Sequence, residues 1–186
     1  MGHKDDFIVK MTPAAANVRE LFQIHPRCLI AQAAHESRWG LSKLTEYANN
    51  LFGMTGVSWK KEGKPVFEIP TWENSALPPD KIRYWDRPGD IVENRQLIDL
   101  KTGDTLGWRY KVIRPFRKYG SWEDSCMDWA KMIAQADRYK KSYAAAKTGN
   151  LDKFDDALKA DKYATDPKYD QVLTVLAKDQ LIKAIV

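Results

Sequence analysis

Residues 26–40 read Pro-Arg-Cys-Leu-Ile-Ala-Gln-Ala-Ala-His-Glu-Ser-Arg-Trp-Gly and are the most informative stretch of the chain. Proline at the first position and glycine at the last predict a helix bounded by these two residues. At about 100° per residue, one arc of this helix carries small and apolar side chains and forms its core side. These residues are Leu29, Ile30, Ala33, Ala34 and Ser37.

Glu36 falls at the edge of this apolar arc, shortly before Trp39 and Gly40. We expect its carboxyl group to be partly desolvated, which disfavours the charged form and raises the pKa. A general acid that protonates a glycosidic oxygen near neutral pH needs such a raised pKa. The alternative is a structural glutamate that caps the helix or pairs with Arg38 or Lys43. Spacing alone leaves both interpretations open.

The other titratable side chains near this helix give weaker signals. His35 lies about 100° around the helix from Glu36, so we expect it at the surface or behind the site. His25 precedes a proline at a turn and is predicted to be structural. Cys28 and Cys126 both fall in predicted helices, where buried thiols are more common than nucleophiles.

The composition indicates a globular domain. The chain has 186 residues, of which 44% are hydrophobic and 30% charged, too apolar for intrinsic disorder. No apolar run is long enough for a membrane-spanning helix. Two cysteines, three histidines and no CxxC pair argue against a disulfide scaffold or a zinc cluster. We therefore expect no metal, no cofactor and no stable membrane insertion.

The charge balance suggests an anionic environment. The formal net charge is +5, which favours nucleic acid, acidic membranes or an anionic cell wall. The basic residues are scattered among acids, so we expect no nucleic-acid partner. The chain is expected to act as a monomer.

The order of predicted elements is helical at both ends and β-rich in the middle. Thr12-Pro13 predicts a helix start, Ser42 a short helix through Tyr47, and Ser121 a helix with a buried face. Further helices are predicted to begin at Asn150 and at Asp166-Pro167. The buried face after Ser121 carries Cys126, Trp129, Ile133 and Ala136.

The middle segment is punctuated by glycine and proline and contains short β-type runs at residues 66–69, 82–85 and 108–113. We predict one α+β domain, mainly α, over residues 1–186. Its helical lobe covers about 12–57 and 114–186, and a small β-hairpin lobe is inserted at about 58–113.

Four motifs occur in an order that resembles glycoside hydrolase family 73, the bacterial endo-β-N-acetylglucosaminidases of flagellar and autolysin type. They are Ala-Gln-Ala-Ala-His-Glu-Ser-Arg-Trp-Gly (31–40), Asn-Asn-Leu-Phe-Gly (49–53), Pro-Phe-Arg-Lys-Tyr-Gly-Ser-Trp-Glu (115–123) and Tyr-Ala-Thr-Asp-Pro-Lys-Tyr (163–169). The resemblance covers about residues 26–56 and 114–178, and the middle segment matches poorly.

The resemblance implies a lysozyme-like fold in which a helical lobe and a β-lobe flank a groove for peptidoglycan glycan strands. It implies hydrolysis of the β-1,4 bond between N-acetylglucosamine and N-acetylmuramic acid at the bacterial cell wall. No signal-peptide pattern follows the first residues, so we expect delivery to the wall by phage lysis, by specialised secretion or from a trimmed secreted protein. Glu36 occupies the motif position at which the family has its general acid. Asn50 and Phe52 would shape the groove floor, and Tyr163 would bond the substrate acetamido group or orient a water. Asp166 is better explained as a helix N-cap.

Three alternatives remain for a second catalytic carboxylate: Glu73, Glu68 or none. Glu73 is favoured because Trp72-Glu73-Asn74 resembles an aromatic-Glu-Asn run in flagellar members of the family. A distant base would activate water, and the anomeric configuration would be inverted. Alternatively, the 2-acetamido group of the substrate could act as nucleophile, and the configuration would be retained.

Aromatic residues of the β-lobe are candidates for stacking on sugar rings, although each also fits hairpin packing. They are Trp59, Trp72, Tyr84 and Trp85. Two other functions fit the same residues. One is a lytic transglycosylase, which needs a single acid, and the other is a non-catalytic module that binds the cell wall.

Overall fold

The computed structural model describes residues 2–81, 91–163 and 172–186. It separates into two compact units. The helical unit comprises Met1–Met54 and Lys118–Val186, and the sheet unit comprises Thr55–Arg117. The α+β fold class expected from the sequence is confirmed.

The helical unit is built from short and medium helices around a buried centre. In chain order they are α1 (His3–Phe22), α2 (Pro26–Ser37), α3 (Lys43–Ala48), α5 (Trp122–Gln135), the 3-10 turn Asp137–Tyr139, α6 (Lys140–Ala146), α7 (Leu151–Ala160), α8 (Val172–Leu176) and α9 (Gln180–Lys183). The intervening helix α4 (Val57–Lys61) belongs to the sheet unit.

The first helix does not begin where the sequence predicts. α1 starts at His3, and Pro13 lies inside it rather than at its first turn. Proline has no N–H to bond the carbonyl four residues earlier, which belongs to Val9. Both Pro13 and Val9 are exposed, so water can satisfy that carbonyl. The prediction of a helix start at Thr12-Pro13 is therefore wrong.

α2 is the central helix of this unit. It begins at Pro26 as predicted, but it ends at Ser37 with Arg38 as its left-handed C-cap, before the predicted terminator Gly40. His25 precedes it and accepts a hydrogen bond at Nδ1 from the backbone N–H of Arg27 at 3.2 Å, with Pro26 at the first helical position. Every side chain from Cys28 to Ala34 is buried. The helix is thus surrounded by protein over most of its length.

Three other predicted helix starts are confirmed by their caps. The side-chain oxygens of Ser42, Ser121 and Asn150 each accept a hydrogen bond from the backbone N–H three residues later. Each cap pairs a backbone donor that the helix itself leaves unpaired. The predicted start at Asp166-Pro167 lies outside the described residues.

The sheet unit contains α4 (Val57–Lys61) and strands β1 (Val66–Ser75), β2 (Ile91–Ile98) and β3 (Thr105–Arg117). The strands form an antiparallel sheet in the order β1-β3-β2. The predicted runs at 66–69 and 108–113 lie within β1 and β3, whereas 82–85 lies outside the described residues. β2 and α4 were not predicted.

Side chains of β1 alternate between two faces of the sheet. The face of Glu73 is the less exposed and includes Tyr110 and Val112 of β3, both fully buried. The opposite face carries Glu68 and Trp72, which are exposed. No helix in the described part of the chain is long and apolar enough to span a membrane.

Candidate active site

Glu36 lies in the last turn of α2 and is half-buried. The carbonyl groups at a helix C-terminus carry partial negative charge, which disfavours an ionised carboxylate there. Gln32, one turn earlier on the same side of the helix, donates a hydrogen bond from Nε2 to Oε1 of Glu36 at 3.1 Å. The two contacts act in opposite directions: the helix C-terminus disfavours the ionised form of this carboxyl group, whereas the Gln32 N–H orients the group and favours that form.

Gln32 links Glu36 to a buried network. Its side chain is fully buried and is hydrogen-bonded to Tyr163. The Tyr163 hydroxyl also accepts a hydrogen bond from Nε1 of Trp129 at 3.0 Å. Burial raises the pKa of Tyr163 and the nearby Glu36 charge raises it further, so the phenol keeps its proton. The chain of contacts Trp129–Tyr163–Gln32–Glu36 therefore holds Oε1 of the Glu36 carboxyl group against buried side chains.

The backbone after Glu36 reverses sharply. Arg38, Trp39 and Gly40 all have left-handed φ angles, of 55°, 59° and 84°. The Ser37 hydroxyl donates to the Ala33 carbonyl at 2.5 Å and accepts from the Gly40 N–H at 2.7 Å. A Cβ atom at Gly40 would stand 2.8 Å from a Trp122 ring carbon. The turn that ends α2 is therefore determined by both conformation and packing.

Asn50 and Phe52 lie in the loop after α3 and are both buried. The Asn50 amide donates to the Met54 carbonyl and accepts from the Met54 N–H, each at 2.9 Å. Phe52 stacks on Trp129 with ring centroids 4.9 Å apart. Phe52 therefore contacts Trp129, which in turn contacts Tyr163. The Asn50 side chain instead stabilises the loop from Asn50 to Met54.

The two candidate second carboxylates point to opposite faces of β1. Glu73 forms an ion pair with Arg114 at 2.6 Å on the less exposed face. Glu68 forms an ion pair with Lys60 on the exposed face. Because neighbouring positions of a strand alternate, Trp72 shares a face with Glu68 and not with Glu73.

The candidate stacking residues Trp59 and Trp72 are both flanked by cations. Trp72 is 37% exposed. The guanidinium carbons of Arg95 and Arg109 each lie 5.0 Å from its ring centroid. Trp59 is half-buried, with Arg117 at 5.3 Å. The other two candidates, Tyr84 and Trp85, lie outside the described residues.

Burial shifts the pKa values of three other titratable side chains of the helical unit towards their neutral forms. His35 is half-buried, and burial lowers its pKa, so it is neutral. Cys28 and Cys126 are buried free thiols whose pKa values burial raises to about 12. Within residues 2–81, 91–163 and 172–186, no group of three or more histidine, cysteine or acidic side chains could hold a metal ion.

Gln32 is a site residue that the sequence did not predict, and Trp129 was predicted only as a core residue. A signal for Gln32 was present, since it precedes Glu36 by one helical turn and lies among residues predicted to be buried. A buried amide needs hydrogen-bond partners, and the nearest polar position on that side of the helix is Glu36. Nothing local in the sequence links Trp129 to Tyr163.

Comparison with known families gives one match that covers most of the chain. Residues 12–180 match the glucosaminidase family, described as mannosyl-glycoprotein endo-β-N-acetylglucosaminidase. The chain belongs to this family. The motifs that carry Glu36 and Asn50 both lie in the helical unit. The predicted resemblance is thus confirmed.

Curated relatives of this glucosaminidase domain are longer proteins. The peptidoglycan hydrolase FlgJ of Pseudomonas aeruginosa is 29% identical over 94% of this chain and 36% of its own length. The exo-glucosaminidase LytG of Bacillus subtilis is 28% identical over 94% of this chain and 51% of its own. The chain spans about a third to a half of these relatives.

Solved structures have the same fold. A glycoside hydrolase domain from Salmonella typhimurium FlgJ superposes with a TM-score of 0.62 at 27% identity, covering 98% of this chain and 99% of that one. The catalytic domain of the autolysin Auto from Listeria monocytogenes has a TM-score of 0.68 at 22% identity, covering 100% of this chain and 89% of that one. The second likeness shows the fold alone.

Proposed function

We propose that this chain hydrolyses peptidoglycan at the β-1,4 bond between N-acetylglucosamine and N-acetylmuramic acid, with Glu36 as general acid. The observation that carries the proposal is the position of Glu36. Its carboxyl group sits at the negative end of α2, bonded to a fully buried glutamine. Membership of the glucosaminidase family supports the same reaction class.

Glu36 donates its proton to the glycosidic oxygen as the bond to the anomeric carbon breaks. The helix C-terminus favours the protonated form before this step. After it, the Gln32 N–H stabilises the carboxylate through a charge-assisted hydrogen bond. Tyr163 holds Gln32 in place and supplies a neutral hydroxyl that can bond the substrate acetamido group or a water.

We propose Glu73 as the second carboxylate, with Glu68 as the alternative. Glu73 forms an ion pair with Arg114 on the less exposed face of β1, and a carboxylate held in this way suits a base or a stabiliser of positive charge on the sugar ring. Glu68 is also paired, but it lies on the exposed face of β1. If neither carboxylate acts, the 2-acetamido group of the substrate is the nucleophile and configuration is retained.

Both units are proposed to form one glucosaminidase domain that acts as a monomer on the cell wall, outside the cytoplasmic membrane. Asn50 and Phe52 would support the site from behind, and Trp59 or Trp72 would contact sugar. The net charge of +5 attracts an anionic wall polymer and raises the rate of encounter.

The test is the chemistry of the new chain ends. Purified peptidoglycan is digested, reduced with borohydride and analysed by mass spectrometry. The proposal predicts reduced N-acetylglucosamine at the new ends. Ends that carry 1,6-anhydro-N-acetylmuramic acid would identify a lytic transglycosylase instead. Reduced N-acetylmuramic acid would assign the other glycosidic bond, and the absence of new ends would leave only a wall-binding module.

A further inference from the structure

The exposed face of the sheet unit carries a cluster of cations around one tryptophan. This cationic face consists of Trp72 on β1, Arg109 and Lys111 on β3 and Arg95 on β2. Lys111 lies directly opposite Trp72, and Arg109 lies directly opposite Arg95. Both guanidinium groups approach the Trp72 ring, at 5.0 Å, and the Lys111 ammonium lies 6.0 Å from it.

The charges of this face are poorly compensated within the protein. Like charges directly opposite on neighbouring strands are destabilising. Among the described residues, neither Arg95 nor Arg109 forms an ion pair. Lys111 has Glu93 at 3.5 Å. The neighbouring Glu68 on the same face is neutralised by Lys60. The face therefore keeps a net positive charge of about +2 that an external anion would relieve.

The tryptophan makes the two arginines suitable for recognition. Cation–π contact with Trp72 orders both guanidinium groups without occupying their N–H donors. Arg95 and Arg109 lie opposite each other on neighbouring strands, which are about 4.8 Å apart. Their guanidinium N–H groups are therefore spaced for two adjacent oxyanions rather than for one buried ion. An ordered guanidinium binds carboxylate in a bidentate manner at a smaller entropic cost than a free one.

We propose that the cationic face binds the carboxylates of peptidoglycan stem peptides, as an anchoring surface separate from the face of Glu73. This rests on the proposed function, because it assumes that peptidoglycan is the polymer encountered. A cationic sheet face with several separate charges suits a polymer with repeated anionic groups better than a small ligand, since many weak contacts add. A second contact with the same polymer holds the enzyme at its substrate between cleavages.

The test is co-sedimentation with purified peptidoglycan, with every variant in a Glu36→Gln background so that the polymer stays intact. Arg95→Gln with Arg109→Gln is compared with Lys131→Gln plus Lys153→Gln, exposed lysines of α5 and α7. The control removes the same net charge. We expect the arginine variant to bind about tenfold more weakly, and the control to change less than about twofold. The difference should disappear at about 1 M salt.

Equal weakening of peptidoglycan binding in the arginine variant and the lysine control would overturn the proposal, because net charge alone would then explain the binding. So would an undiminished difference on glycan strands stripped of their peptides by an amidase, since the carboxylates would then be irrelevant. A gel shift with duplex DNA completes the test. Loss of DNA binding with unchanged peptidoglycan binding in the arginine variant would assign the face to nucleic acid.

Failure of this proposal is distinguishable from failure of the proposed function. With Glu36 intact, hydrolysis of short peptide-free glycan fragments depends on the acid and not on anchoring. The arginine variant should cleave them at the wild-type rate while digesting whole peptidoglycan more slowly. Equal slowing on both substrates would show that the arginines act on catalysis or folding and not on anchoring.

Discussion

The hydroxyl of Tyr163 can be removed with little change in shape by Tyr163→Phe. The Trp129 side chain is fully buried, and its Nε1–H donates to that hydroxyl at 3.0 Å. Loss of the acceptor leaves a buried donor unpaired, which costs about 1–3 kcal/mol of the free energy of unfolding. The Gln32 side chain loses a partner as well. We expect a destabilisation of about 2 kcal/mol.

A double-mutant cycle isolates the contact. Trp129→Phe removes the N–H and leaves a cavity beside Phe52 and Phe154, at a cost of about 1–3 kcal/mol. In that background Tyr163→Phe no longer orphans an indole, so its further cost should fall by about 1 kcal/mol. Urea unfolding followed by far-UV circular dichroism measures all four free energies of unfolding.

A control cycle combines Tyr163→Phe with Trp122→Phe in place of Trp129→Phe. Trp122 lies two helical turns before Trp129 on α5 and packs on Phe7. Seven residues correspond to about 10 Å along the helix, so Trp122→Phe and Tyr163→Phe should be additive within about 0.5 kcal/mol. A coupling at Trp129 that is no larger than this control would refute the buried network.

Three further predictions follow from single residues. Gln32→Leu should lower kcat about tenfold to hundredfold while leaving KM nearly unchanged, because the amide stabilises the Glu36 carboxylate formed in the reaction; an unchanged kcat would contradict this. Gly40→Ala should destabilise more than Gly63→Ala in urea unfolding, since both have positive φ but only Gly40 meets a ring at 2.8 Å; equal losses would show that packing is irrelevant. The hydrogen bond from Lys4 lowers the pKa of Asp179, so its contribution is present above about pH 4 and is lost as the pH falls through the lowered value. Asp179→Ala should therefore cost about 1 kcal/mol at pH 7 and less at pH 2, and a pH-independent loss would contradict the linkage.

Most helix starts could be predicted because their causes are local. Ser42, Ser121 and Asn150 each accept a hydrogen bond from a backbone N–H three residues later, and Pro26 has no N–H that would need a partner, so each signal is contained in a short window. The exception is α1, which begins at His3, with Asp5 accepting a hydrogen bond from the Gly2 N–H. Thr12-Pro13 has the form of a start signal, but buried residues on both sides of it continue one helix.

β2 could not be predicted because its sequence, Ile-Val-Glu-Asn-Arg-Gln-Leu-Ile, is polar in the middle and almost entirely exposed. Its strand conformation depends on pairing with β3, an interaction that no local pattern records. The same limit applies to the site. The position of Glu36 at the end of an apolar helix is readable, whereas the Trp129–Tyr163 hydrogen bond joins distant segments.

The role of Glu36 is tested most directly by the initial rate of peptidoglycan hydrolysis at neutral pH for Glu36→Gln beside Glu46→Gln. Glu46 is exposed on α3 and provides a matched loss of one carboxylate. Far-UV circular dichroism first establishes that both variants are folded. Removal of a general acid should lower the rate by at least about a hundredfold, while the Glu46 variant stays within about twofold of the wild type. Near-wild-type hydrolysis by Glu36→Gln would contradict the assignment of the acid.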